Sequence, residues 1–362
     1  MTEIGRPRSE LDTPALWIDL SALEENIRRF ARDCEEAGVG WRPHVKGIKV
    51  PAIAHLALDA GAIGVTCAKV GEAEVMAAAG ISDLLIANQV VGSQKVARLV
   101  HLRRRVDVKV AVDSLANVNE LGEAARRAGV ELGVVVEVDV GMQRGGVAPG
   151  KPAVDLSRWV HDTDGLWYEG LMAWEGHTRR IEDQAQRRAA IEDAIGQLCH
   201  CADLCRREGL PVSIVSAGGT GTYHVTAYVP GVTEVQAGGG IFGDVASLNW
   251  GVGTQPALFV QTTVTSRPAP DRIIVDAGFK ALPRWHSVPQ PVGLSGTVSF
   301  ETSAEHGKLI LDAANQTVNV GDALDFVVGY GDETVLLHDR LYGVRSGIVE
   351  AAWQVGAQGQ SR

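Results

Sequence analysis

Little in the 362-residue sequence points to a membrane, secreted or nucleic-acid-binding protein. No stretch approaches the ~18 uninterrupted apolar residues of a bilayer span, which argues against a membrane protein. The start, Met-Thr-Glu-Ile-Gly-Arg-Pro-Arg, holds no apolar core of signal-peptide length, so a cytoplasmic protein is expected. The five cysteines, Cys34, Cys67, Cys199, Cys201 and Cys205, are an odd number in a long chain. That argues against a disulfide framework and for reduced thiols. Basic charge is short: 34 Lys and Arg against 44 Asp and Glu give −10, a surface that repels phosphate backbones and excludes nucleic acid as an expected partner. There are no repeats, no low-complexity segment, no coiled-coil heptads and no Walker-type G-x-x-x-x-G-K-S/T.

What is present suits a globular enzyme. At 45% hydrophobic and 22% charged residues, the chain can bury a core that needs no metal or disulfide staple. From about residue 13 to 250, short apolar runs alternate with amphipathic ones. Strands are predicted at Ala15–Leu20, Trp41–Lys46, Ile63–Lys69, Asp83–Gln89, Val108–Asp113, Gly133–Asp139, Leu166–Trp174, Ser213–Ala217 and Glu234–Ala237. Helices fall between them, among them Ser21–Gly38 with Ser21 as N-cap, Ser114–Gly129 and Ile181–Gly209.

Strands separated by helices pair in parallel. Polar and glycine-rich residues follow the strand ends all along this region, as the loops of a (β/α)8 TIM-type barrel require. An open doubly wound sheet is the alternative. Nine strands are one too many for eight, so Ala15–Leu20 is expected to pair elsewhere. After residue 250 the pattern becomes strand and turn, at Leu258–Thr265, Arg272–Asp276, Gly293–Phe300, Lys308–Leu311, Ala323–Val328 and Thr334–His338. The expected organisation is therefore α/β: a barrel over 13–250 and a C-terminal β domain over 251–362, joined by residues 1–12.

Four constellations carry chemistry. In Trp41-Arg-Pro-His-Val-Lys-Gly-Ile-Lys49, Lys46 falls at a strand's C-terminal end with His44 on the same face. Shielded from water in a barrel mouth, such an amine is a nucleophile; alternatively, Lys46 and Lys49 are solvated loop charges. In Val136-Glu-Val-Asp-Val-Gly-Met-Gln-Arg-Gly-Gly-Val147, Arg144 can hold a phenolate or carboxylate, or else form a structural pair with Asp139. Ser216-Ala-Gly-Gly-Thr-Gly-Thr-Tyr223 frees backbone N–H groups to converge on an anion, with the Thr220 and Thr222 hydroxyls beside them. Gln236-Ala-Gly-Gly-Gly-Ile-Phe-Gly243 follows the last strand, and two such loops match the usual barrel phosphate site. Its G-x-G-x-x-G (Gly238, Gly240, Gly243) lacks the surrounding strand–helix–strand unit of a dinucleotide fold.

Together with Cys67-Ala-Lys-Val-Gly-Glu-Ala-Glu-Val-Met-Ala-Ala-Ala-Gly80, these motifs resemble the D-threonine aldolase/D-serine dehydratase family, pyridoxal-phosphate enzymes of the alanine-racemase-like fold. Leu84–Gly92, Asp276–Leu282 and Glu305-His-Gly307 extend the match over about residues 11 to 356. The resemblance implies that Lys46 forms the Schiff base with pyridoxal 5'-phosphate and that Arg144 contacts its phenolic oxygen. It implies a phosphate cradle of Gly218, Gly219, Thr220 and Gly221 with Gly239 and Gly240, Trp174 stacked on the ring, and Gln236 near the pyridine nitrogen. A neutral partner there would not hold that nitrogen protonated. A homodimer is implied as well, with the β domain of one chain closing the barrel mouth of the other.

The family's H-x-C-x-T or H-x-D-x-T, whose His and Cys/Asp bind a divalent metal, is altered. Here Gly329-Tyr-Gly-Asp-Glu-Thr334 puts Tyr330 at the histidine and keeps Asp332 as the remaining metal-type ligand. One carboxylate rarely holds Mg²⁺ or Mn²⁺, although water and substrate can complete a shell. With the metal lost, Tyr330 becomes an acid/base candidate; otherwise it packs over the pocket. His44, His177 and Glu175 are further candidates near strand ends. Cys199-His-Cys-Ala-Asp-Leu-Cys205 lies in a predicted helix and reads as a buried stripe, and His306 and His338 as structural.

The expected reaction is retro-aldol cleavage of a β-hydroxy-D-amino acid to glycine and an aldehyde. β-Elimination or racemisation on the same cofactor is the alternative within enzymes, and a non-catalytic pyridoxal-phosphate carrier the alternative outside them. A dinucleotide-dependent oxidoreductase is the weakest reading.

Overall fold

Of the nine strands expected before residue 250, eight form one parallel sheet and the first joins another. The computed structural model describes residues 3–362. The chain forms two compact units, each discontinuous in sequence. One holds Phe30–Lys46, Ile53–Gly238 and Gly359–Arg362. The other holds the chain up to Arg29, Gly47–Ala52 and Gly239–Gln358. The sequence expectation drew a single boundary near residue 250.

The first unit is built on β2 (Gly40–Trp41), β3 (Val65–Cys67), β4 (Asp83–Gln89), β5 (Asp107–Val112), β6 (Leu132–Val138), β7 (Leu166–Ala173), β8 (Ile214–Ala217) and β9 (Glu234–Val235). They run in the order β2-β9-β8-β7-β6-β5-β4-β3, every neighbour parallel. A parallel bridge between His44 and Thr66 closes the ring: Val45 N–H donates to Thr66 O and Thr66 N–H to Pro43 O. The sheet is a barrel. Helices fill the crossovers, and their ends follow local rules. Ser114 caps Leu115–Ala128 by accepting from Asn117 N–H, and Gly129 ends it in the left-handed region at φ 65°.

The barrel interior follows from the two-residue period of a strand. Leu85, Ala111, Val135, Met172 and Ile214 form one buried apolar cluster. Two positions before them, on the same strands, stand Asp83 and Lys109, whose Nζ donates to Asp83 Oδ1 at 3.1 Å. Two positions after stand Glu137, Trp174 and Ser216. The interior is thus apolar in its middle and polar toward both ends of the strands.

The second unit begins with β1 (Ala15–Asp19), which pairs antiparallel with β10 (Leu258–Ala269) and parallel with β16 (Arg340–Arg345). Its pairing outside the barrel accords with the surplus-strand argument. β11 (Arg272–Val275), β13 (Thr297–Thr302), β14 (Gly307–Leu311), β15 (Ala323–Val327) and β17 (Ile348–Gln354) complete the sheet, with the short β12 (Gln290–Pro291) on β15. Leu11, Ala15, Trp17, Val344 and Val349 form a core in which Trp17 stacks on Phe259 at 4.4 Å.

Two expectations are corrected. The helix Leu20–Ala37 is capped by Asp19, not Ser21: Asp19 Oδ1 accepts from Ser21 N–H (2.9 Å) and Ala22 N–H (3.0 Å). Thr334–His338 is not a strand; it holds the end of a short helix (Gly331–Thr334) and a 3-10 turn (Val335–Leu337). Of its apolar run only Val335 is buried, while Leu336 and Leu337 stay exposed, so nothing draws the segment into the sheet.

Candidate active site

The residues after β2, β9 and β8 form a hydrogen-bonded rim. His44 N–H donates to Gln236 O at 3.1 Å, and Gln236 N–H donates to Ala217 O (3.0 Å) and Gly218 O (3.3 Å). Gly238 backs onto His44, where a Cβ would overlap the His44 main chain. Lys46 leaves the barrel two residues past His44, its N–H donating to His44 Nδ1 at 3.4 Å. The expected shielding of Lys46 is not found in the single chain. The turn after His44 carries it past the last bridge, and its side chain is exposed. Lys49, read alternatively as a solvated charge, is buried.

The glycine loop after β8 is held from beneath. Glu175 is fully buried and accepts from Thr226 Oγ1 (2.6 Å) and Gly218 N–H (3.3 Å), so it positions the loop and does not reach a ligand. Thr222 Oγ1 accepts from Gly219 N–H at 3.0 Å, and Thr222 is itself buried. Its hydroxyl therefore secures the turn, contrary to the sequence expectation, and Thr220 and Gly221 form the tip. A Cβ on Gly219 would overlap the Trp174 ring, which fixes this loop against Trp174. Arg179 lies over the Trp174 ring, 5.5 Å from its centroid. The half-buried His177 lies against Gly141, and its Nδ1 is buried without a hydrogen-bond partner.

The alternative reading of Arg144, a structural pair with Asp139, is not found. Asp139 Oδ1 accepts from Gly141 N–H and Gln143 N–H, both at 3.0 Å, and so closes its own loop. Arg144 instead lies 3.6 Å from Glu137, an almost wholly buried carboxylate that also accepts from Gln89 Nε2 at 2.5 Å. Burial pushes the Glu137 carboxyl above its ordinary value, opposed by the bonds from Gln89 and Arg144. Sequence reasoning missed Glu137 and Gln89. The available signal was an acid at an inward position of the apolar run Val134–Val138.

Gly239, Gly240, Tyr330 and Asp332 belong to the other unit. Gly239 and Gly240 open the 3-10 turn Gly239–Phe242. Tyr330 stacks on His286 (4.4 Å between centroids) and meets Trp250 edge-on at 6.0 Å. Asp332 presses on Gly47, where a Cβ would overlap its carboxylate, so it sits beside the residue that follows Lys46. The turn is anchored by Asp244, which sequence reasoning also missed. Buried, it accepts from Gly331 N–H (2.7 Å), Ser247 N–H (2.8 Å) and Ser247 Oγ (2.6 Å), and burial pushes its carboxyl up to about 6.

No group of three or more His, Cys, Asp or Glu side chains placed to hold a metal ion occurs among the described residues. Cys199, Cys201 and Cys205 are buried in the helix Gln184–Arg207.

Comparisons with known proteins agree with this geometry. The model of the alanine racemase N-terminal domain matches residues 18–246, and that of a serine dehydratase domain matches residues 257–344. The chain is 36% identical to a D-threonine aldolase of Arthrobacter sp, covering 99% of this chain and 96% of that one. It is 34% identical to a 3-hydroxy-D-aspartate aldolase of Paracoccus denitrificans (strain Pd 1222), over 98% and 94%. The crystal structure of a D-threonine aldolase from Filomicrobium marinum superposes with a TM-score of 0.95 at 36% identity, covering 100% of both chains. With a closed parallel barrel, a lysine at its rim and matches along nearly its whole length, the chain belongs to the alanine-racemase-like family of pyridoxal-phosphate enzymes that includes the D-threonine aldolases.

Proposed function

We propose that this chain is a pyridoxal-phosphate-dependent aldolase that cleaves a β-hydroxy-D-amino acid of the D-threonine kind to glycine and an aldehyde. The observation that carries this reading is the rim. Lys46 issues directly beside Gln236 and the glycine loop, and Trp174 is fixed against that loop. The donor set suits a phosphate-bearing aromatic aldehyde: an amine, a guanidinium, a flat ring and a turn with no room for a Cβ at Gly219. When bound, pyridoxal phosphate supplies an acceptor for the electron pair left as the Cα–Cβ bond breaks.

The chain's residues do the rest. Lys46 would anchor the aldehyde carbon covalently, the carbonyl oxygen leaving as water. Arg144, 3.6 Å from Glu137, would hold the phenolic oxygen, and Trp174 would stack on the ring. Thr220 and Gly221, with Gly239 and Gly240, would hold the phosphate, on a turn whose Gly218 and Gly219 N–H groups are already bonded to Glu175 and Thr222. Tyr330, in its phenolate form, would take the β-hydroxyl proton in place of a metal site, because a phenol and one carboxylate are a poor ligand set for Mg²⁺ or Mn²⁺. His44 and His177 are proton carriers for the return step at Cα. The chain acts as a homodimer, in which a second protomer covers the exposed Lys46. The five free thiols suit a reducing, cytoplasmic setting.

The test is incubation of the loaded protein with D-threonine. Equal amounts of glycine and acetaldehyde are expected, with a borohydride-fixed label on Lys46 by mass. Ammonia with a keto acid would instead show β-elimination, L-threonine would show racemisation, and an intact cofactor band without turnover would leave only a carrier.

A further inference from the structure

Inside the barrel a chain of hydrogen bonds links five residues on or just past neighbouring strands. Arg42, buried, donates from Nε to both carboxylate oxygens of buried Glu234 at 3.0 Å, and from Nη1 to Asp83 at 2.6 Å. Ser216, fully buried and in register with Glu234, donates to Glu234 Oε1 at 2.8 Å. Gln236 donates from Nε2 to Ser216 Oγ at 2.9 Å.

The direction of this chain is forced. A carboxylate bonded to a guanidinium is ionised and only accepts. The single Ser216 proton therefore goes to Glu234, and Ser216 offers Gln236 only lone pairs. The amide of Gln236 must present its NH₂ to Ser216, since the flipped amide would set two buried acceptors face to face. Its carbonyl oxygen is left over. That atom accepts from no protein group among the described residues, nor is it sealed away, although Gln236 is only 7% exposed.

We propose that Arg42, Glu234 and Ser216 are positioning residues that lock Gln236 as a hydrogen-bond acceptor, so that the site selects a bound group carrying N–H or O–H at that point. Taken with the function proposed above, on which this inference rests, and with the ring-nitrogen position that the family resemblance implies for Gln236, this acceptor would hold the ring nitrogen protonated. This reverses the sequence expectation for a neutral partner. An amide can donate or accept, and only its buried neighbours decide which.

The test uses the full chain loaded with pyridoxal phosphate carrying ¹⁵N in the ring. Its nitrogen resonance is expected at the protonated position through the neutral pH range. Ser216→Ala and Glu234→Gln, which free the amide to flip, should lower the apparent ring pKa so that the proton is held at least tenfold less tightly. Two variants guard against either one failing to fold. Gln236→Arg, a donor only, should give the unprotonated position. A wild-type nitrogen at the unprotonated position, or a Gln236→Arg protein indistinguishable from wild type, would overturn the proposal. Side-chain amide exchange supplies a readout independent of the cofactor. The Gln236 NH₂ should exchange at least tenfold more slowly in wild type than in Ser216→Ala, and equal rates would also overturn it. A borohydride label absent from Lys46 would count against the proposed function instead, and the amide exchange would still decide the lock.

Discussion

Three single positions separate what a residue type permits from what its neighbours impose. Gly219 has no room for a Cβ because the Trp174 ring occupies that space. Gly219→Ala is expected to weaken cofactor binding on the order of tenfold, about 1.4 kcal/mol, measured by titration of the absorbing cofactor. Adding Trp174→Ala should restore the loop's position; if the double variant's apo loop stays displaced, steric overlap is not the cause. Tyr330 stands where relatives in the family resemblance carry a metal-binding histidine. Activity is expected to survive EDTA, whereas Tyr330→His, beside Asp332, should become responsive to Mn²⁺. A wild-type enzyme silenced by EDTA would contradict the assignment of Tyr330 as base.

His338 gives a pH dependence with a definite sign. It is buried, its Nε2 lies 2.8 Å from Ala281 O, and burial holds its pKa below the ordinary 6.5. The unfolded chain therefore takes up this proton first. The stabilising contribution is whole above about pH 6.5 and is lost as pH falls toward the depressed folded value. Denaturant titrations of His338→Gln should show a flatter loss of stability between about pH 7 and 5 than wild type. Parallel curves would remove His338 from the account.

At the scale of elements, the sequence announces where the chain turns better than it announces which residue does the turning. Helix Leu20–Ala37 was legible from Leu23, Ile27, Phe30 and Cys34, all buried at helical spacing. Its cap was misassigned because Asp19 and Ser21 are both good caps, and only the backbone path shows whose oxygen meets the free N–H groups. Asp19→Ala is expected to lower stability by about 1 kcal/mol, with an unchanged denaturant slope. If Ser21→Ala proves the costlier change, the assignment is wrong. The apolar residues of Thr334–His338 suggest a strand, but the short helix and turn there leave Leu336 and Leu337 exposed. Strand and short-helix patterns are indistinguishable over so few residues.

For the whole molecule, the barrel and its surplus first strand were legible because alternating strand and helix runs admit few topologies. The division into units was not. Gly47–Ala52 leaves the barrel unit immediately after Lys46, and no compositional change marks the departure. The proposed homodimer predicts a particle of about twice 38.4 kDa by light scattering. A monomer retaining full activity would refute a partner's part in covering Lys46.

The sequence by itself determined which groups are available: the amine of Lys46, the guanidinium of Arg144, the two glycine loops and the exchange of histidine for Tyr330. It also determined the barrel, since a strand's two-residue period and a helix's wider one are local properties of the chain. Only the tertiary structure decided how those groups are used. It pairs Arg144 with Glu137 instead of Asp139, gives Glu175 and Thr222 to the glycine loop, and turns the Gln236 amide. Each of those outcomes depends on which buried neighbour supplies or lacks a proton, and that is fixed by residues far apart in the chain.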